Sequence, residues 1–279
     1  MNENLMNLSI LRVALVCLVG GAIASFANES LAHGGGGDIA LFQTDGQVDV
    51  GFAVLDDNDE EQEYFDPTVS VFQAVLIPHT PSSGLLGVPY TFATQEPGFD
   101  ANEGSLPALA NMYANVSDVW YWDGSGELDF QPASTVQVTG GYAPMPQDTD
   151  IDGGHHSHPW FGVVGDSDVP NGIYLAKATV SIDTLEESDP YYLVTLKDDT
   201  LYTGNAESDA NNGVAVGELV REYLDGTLAE APVYQGTDYT FYADAVSFAR
   251  TLPVPEPTSG LLLTAAGLAV AIGSRMRRA

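Results

Sequence analysis

Positive charge and sulfur are what this chain of 279 residues has least of. It holds 8 Lys and Arg against 39 Asp and Glu, a formal net charge of −31 at pH 7. A chain this acidic repels a phosphate backbone, which excludes nucleic acid as a partner. Its one cysteine, Cys17, lies in an apolar stretch near the N-terminus, so a chain that loses that stretch has neither a thiol nucleophile nor a disulfide. Stability must then come from core packing or bound ions. There is no Gly-x-Ser-x-Gly elbow, no His-Glu-x-x-His helix and no phosphate-binding glycine loop. With so many carboxylates, no pair of them singles out glycosidase chemistry. The expectation is a non-enzymatic protein. No internal repeat with a period of about 20 to 50 residues is present, which argues against a solenoid or propeller.

The two ends carry transport information. Residues 1–28 begin polar, carry Arg12, and run apolar from Val13 to Ile23 before small residues appear. That is the layout of a secretory signal peptide, and the run is too short to span about 30 Å of hydrocarbon. Cleavage fits after Ala27 or after Ala32, giving a signal peptide within 1–32. At the other end, Pro255-Glu256-Pro257 precedes an apolar run from Gly260 to Gly273 and the basic cluster Arg275, Arg277 and Arg278. The prolines end any preceding structure, the run enters the bilayer as a transmembrane helix, and the arginines stay cytoplasmic. The run is shorter than the usual 20 or so residues, which suits a transient anchor.

The Pro-Glu-Pro triplet, apolar helix and terminal arginines over 254–279 resemble the PEP-CTERM sorting signal of Gram-negative bacteria that make extracellular polysaccharide. The resemblance implies recognition by an exosortase after passage through the secretion machinery, removal of the tail, and delivery to the cell surface or extracellular matrix. Exopolysaccharide or matrix is then the expected partner.

Between the ends, residues 33–250 read as one acidic, mainly β ectodomain. Short runs rich in Val, Ile, Phe, Tyr and Thr alternate with clusters of Gly, Pro, Asn and Asp. Strands are expected over 38–42, 48–54, 69–77, 117–122, 127–130, 135–138, 173–182, 191–196 and 239–248. Alternation over 174–180 and 239–248 predicts strands with one buried face, and a β-sandwich or jelly-roll follows. Val216, Leu219, Val220, Tyr223 and Leu224 recur at helical spacing with Gly226 just beyond, predicting one short helix. The acidic run 56–63 reads as a solvated hairpin loop. Trp120-Tyr121-Trp122 reads as core packing, with an exposed carbohydrate-binding face as the alternative.

One segment concentrates candidate chemistry: Asp148-Thr149-Asp150-Ile151-Asp152-Gly153-Gly154-His155-His156-Ser157-His158. Its first half matches the opening of a calcium loop, in which Asp148, Asp150 and Asp152 converge on a hard cation and Gly153 permits the turn. The match fails at the twelfth position, where Pro159 stands in place of a bidentate glutamate. Its second half supplies imidazoles, which suit zinc, copper or nickel. On an extended segment His156 and His158 share a face. His155, His33 or His79 are candidates to complete such a site, as is a carboxylate.

Two resemblances bear on these histidines. Cleavage after Ala32 would make His33 the N-terminal residue. Its amino group and imidazole, with a histidine from 155–158, would resemble the histidine brace of lytic polysaccharide monooxygenases, implying a copper enzyme acting on polysaccharide. His33, His156-x-His158, Trp160 and Gly172-Ile173-Tyr174 also resemble bacterial surface-anchored modules with a His-x-His motif, which implies metal handling.

Overall fold

A computed structural model describes residues 37–55, 62–83, 87–143, 148–166 and 168–253. The expected signal peptide within 1–32, His33, residues 56–61 of the acidic run and the expected sorting tail 254–279 lie outside the described residues. Among the described residues no helix is long and apolar enough to cross a membrane.

Among the described residues the fold is mainly β, with several sheets and two α-helices. In chain order the strands are β1 (Asp38–Thr44), β2 (Gln47–Leu55), β3 (Gln62–Asp66), β4 (Val71–Val75), β5 (Ile77–Pro78), β6 (Phe92–Thr94), β7 (Phe99–Ala101) and β8 (Met112–Trp122). They continue as β9 (Gln131–Pro132), β10 (Val138–Tyr142), β11 (His155–Ser157), β12 (Phe161–Gly165), β13 (Gly172–Ile182) and β14 (Tyr191–Lys197), then β15 (Val233–Tyr234) and β16 (Thr237–Asp238). The helices are α1 (Ala206–Leu224) and α2 (Thr240–Ala249). Three sheets run in the orders β11-β7-β1-β2-β3, β10-β12-β6-β5 and β4-β14-β13-β8-β9, and β15 and β16 form a small ribbon.

Local chemistry accounts for the first hairpin. Thr44 pairs with Gln47, so Asp45 and Gly46 alone make the turn, both with positive φ, at 53° and 89°. An Asp-Gly pair in that conformation matches the right-handed twist of the strands it joins. β2 then pairs antiparallel with β3, which takes in Gln62 and Glu63, the last two residues of the acidic run expected as loop.

The third sheet separates two cores by the period-two rule for strands. Tyr174, Ala176, Ala178 and Val180 of β13 face a core shared with Ile39, Val48, Phe99, Phe161 and Val163 of the other two sheets. Ile173 and Leu175 face the opposite way, with Val194 and Leu196 of β14, into a core closed by Val216 and Val220 of α1 and Tyr242 and Val246 of α2. Covered on both faces, all seven residues of β14 are buried. The Tyr242 hydroxyl donates to the carbonyls of Ala74 (2.7 Å) and Val194 (3.0 Å), tying α2 to two adjacent strands.

The helices correct the sequence reading in two ways. α1 spans 19 residues, begun by Asn205, whose side chain accepts from the Ser208 amide, and followed by Gly226 at φ +74°. Residues 239–248, expected as a strand, form α2. Its buried positions are Tyr242, Ala243, Ala245, Val246 and Ala249; counted from Tyr242 the last three recur at three, four and seven residues, so the apparent alternation was one edge of a helical stripe. Residues 127–130 are not a strand, and 133–136 form a short 3-10 helix before β10 begins at Val138. The segment 97–107, where no strand was expected, holds β7. Trp122 is buried, and Trp120 packs on the helical core, while the Tyr121 ring lies tilted against Tyr174 and its hydroxyl donates to the Asn171 carbonyl.

Candidate metal centre

One edge of the first sheet brings three strands of different sequence origin side by side. β11 pairs antiparallel with β7, placing His156 opposite Asp100, and β7 pairs parallel with β1, placing Asp100 opposite Ala40. Two residues along the same register lies the row His158, Gly98, Asp38, held by the Gly98 amide donating to Asp38 Oδ1 and the Ile39 amide donating to the Gly98 carbonyl, each at 2.9 Å. Period-two geometry puts His156, His158, Gly98, Asp100 and Asp38 on one face.

The middle residue of that row is glycine for a spatial reason. A Cβ on Gly98 would sit 2.7 Å from Cε1 and Nδ1 of His158 and 2.9 Å from the Ser157 carbonyl oxygen. The His158 ring therefore occupies the volume of the missing side chain and reaches across β7, bringing Nε2 to 3.8 Å from Asp38 Oδ2.

Each of Asp38, His156 and His158 offers one donor atom, and the three atoms lie within 4.8 Å of one another. Metal–ligand bonds of about 2.0–2.2 Å in a tetrahedral site separate donors by about 3.4 Å, so these atoms are close to a coordinating arrangement. His158 Nδ1 lies 3.2 Å from the Gln95 carbonyl. An N–H donated there fixes the tautomer and leaves the Nε2 lone pair facing Asp38. His156 Nδ1 lies 3.3 Å from Asp100 Oδ1, the carboxylate–imidazole contact that orients metal-binding histidines. Glu96 closes the other side, with Oε1 3.7 Å from His158 Nδ1.

The electrostatics are those of a site short of positive charge. Asp38 Oδ2, Glu96 Oε1 and Asp100 Oδ2 are buried and accept no hydrogen bond among the described residues. Burial raises the Asp38 carboxyl above the usual carboxylate range, opposed by His158 and the Gly98 amide. Burial, and then Asp38, pushes the Glu96 carboxyl up to about 9. Buried carboxylates are ordinarily paired or bound to a cation, and here they surround two imidazoles.

The other sequence candidates are not brought to this point. His155 points to the opposite face of β11, with Nδ1 3.3 Å from the Asp148 carbonyl and Nε2 2.7 Å from the Ser157 hydroxyl. Burial lowers its pKa, so the neutral ring donates from one nitrogen and accepts at the other, leaving no lone pair for a metal. His79 lies against Trp160, with Nδ1 3.1 Å from the Tyr90 carbonyl. Gly153 does make the expected turn, at φ +81°. Asp148, Asp150 and Asp152 nevertheless form no group of close donor atoms, and Asp148 bridges to Asn111. Among the described residues the one group of three close donors is Asp38, His156 and His158. Asp150 and Asp152 instead line a cleft of about 510 Å³ together with Asp100, Glu103 and His156.

Sequence reasoning found His156 and His158 but missed Asp38, Glu96, Gly98 and Asp100. The available signals were the alternation Glu96-x-Gly98-x-Asp100 and a lone aspartate heading the apolar run of β1. No protein-family model, curated protein or solved structure matches the chain.

Proposed function

We propose that the protein is an exported, non-enzymatic surface or matrix protein whose ectodomain holds one zinc or copper ion at Asp38, His156 and His158. The observation that carries this reading is the convergence of those three donors from two separate strands, within 4.8 Å, beside buried carboxylate oxygens that lack hydrogen donors. Two imidazoles and a carboxylate form a borderline-soft set suited to zinc or copper(II), with a fourth position left for water or for Asp100. The core enclosed by the three sheets is read as that of a β-sandwich, with a helical cover on the outer face of the third sheet. Export rests on the N-terminal leader, and surface delivery on the PEP-CTERM resemblance, with exosortase as the processing partner and matrix as the destination.

Elemental analysis of protein purified without chelators or a metal-binding tag tests the centre. About one zinc or copper per chain is expected, lost in the His156→Ala/His158→Ala variant. A chain that stays metal-free and takes up neither ion on titration would overturn the reading.

A further inference from the structure

Access to this centre is one-sided. Asp38 and His158 leave only 3% and 12% of their side chains exposed, whereas His156 leaves 42%. The exposed edge of His156 is part of the wall of the acidic cleft, as is Asp100, whose side chain is 6% exposed and whose Oδ2 accepts no hydrogen bond among the described residues. The remaining charged walls, Glu103, Asp150 and Asp152, are exposed residues that do not belong to the centre. Ion and cleft therefore share a boundary made of one ligand and one buried carboxylate.

We infer that this cleft is the capture route of the metal centre: Glu103, Asp150 and Asp152 hold a hydrated divalent cation by its water shell and pass it across Asp100 to His156. The inference rests on the proposed metal reading. Several features fit an outer-sphere role. The carboxylates are spaced too widely to replace the water shell of one ion together, and about 510 Å³ is far more than a bare ion needs. Cations that keep their water are held by charge at a distance, and a concave acidic wall concentrates that field. The calcium-loop residues Asp150 and Asp152 thus acquire a role that does not require a closed calcium site.

Steering of this kind acts on association and leaves dissociation almost unchanged. The test compares the purified full chain with Glu103→Gln/Asp150→Asn/Asp152→Asn, using Zn²⁺ uptake against a fluorescent chelator by stopped flow and Zn²⁺ release into excess EDTA. A second variant, Glu218→Gln/Glu222→Gln/Glu230→Gln, removes the same charge from and just beyond the exposed side of α1, on the far face of the third sheet. The cleft variant is expected to take up Zn²⁺ about tenfold more slowly at low ionic strength, with the difference shrinking as salt screens it and release changing by less than about twofold. The α1 variant should match the parent chain. Equal uptake by all three, equal slowing by both variants, or a loss expressed mainly as faster release would each overturn the capture route while leaving the centre intact. A parent chain that binds no Zn²⁺ would instead overturn the metal reading itself.

Discussion

Replacing Gly98 with alanine isolates the geometry of the proposed centre with one methyl group. The added carbon would stand 2.7 Å from the His158 ring, and ordinary contact begins at 3.4 Å. The ring must therefore retreat by about 0.7 Å, whereas coordination tolerates a misplacement of only about 0.2 Å. His158 can turn outward, but the Ser157 carbonyl oxygen, 2.9 Å from the added carbon, is backbone and must shift as well, so the fold should lose about 1–3 kcal/mol, the usual range for overpacking. Zinc affinity should fall by at least about 100-fold, the upper end of what displaced supporting residues cost. Competition titration with a chelator measures the affinity, and urea unfolding measures the stability. In the Gly98→Ala/His158→Ala chain the ring is gone, so adding the methyl should cost less stability than it does in the parent. A folded Gly98→Ala protein that binds zinc with parental affinity would refute the placement of His158 in the centre.

Two further outcomes follow from the same geometry. His155→Ala should keep zinc stoichiometry but lose about 1–3 kcal/mol of stability, because it strips a partner from the Asp148 carbonyl and the Ser157 hydroxyl. His156→Ala should do the reverse, and zinc titration beside urea unfolding separates the two. Glu96 should make the metal-free protein less stable as pH rises. Its folded-state value of about 9 lies above its ordinary 4.5, so the native state keeps a proton that the unfolded chain releases. That contribution is complete below about pH 4.5 and declines toward pH 9 at up to about 1.4 kcal/mol per pH unit. The urea midpoint of Glu96→Gln should be flatter between pH 5 and 8 than that of the parent chain, and identical slopes would discard the buried-proton account.

The strands rich in Val, Ile, Phe, Tyr and Thr and bounded by turn residues were legible in advance, as β1, β2, β13 and β14 illustrate. α2 was not, because Tyr239 to Phe248 satisfies both an alternating and a helical pattern, and only burial against Ala74 and Val194 decides between them. The same ambiguity attaches to carboxylates. His156 and His158 could be paired from spacing alone, since two residues on one extended segment share a face. Beyond the alternation Glu96-x-Gly98-x-Asp100 and the place of Asp38 at the head of an apolar run, nothing local distinguishes Asp38, Glu96 and Asp100 from the other acids of so acidic a chain.

The sequence by itself determined the acidic charge, the β-rich middle, the Asp-Gly hairpin and the candidacy of the His-x-His pair, because each depends on composition or on neighbours a few residues apart. Tertiary structure alone decided that Asp38 meets residues 118 and 120 positions further along, that His155 turns away, and that a glycine leaves room for a ring. Those outcomes depend on how β1, β7 and β11 align, and strand register is set by the packing of whole sheets, with a one-residue slip enough to send every one of these side chains to the other face.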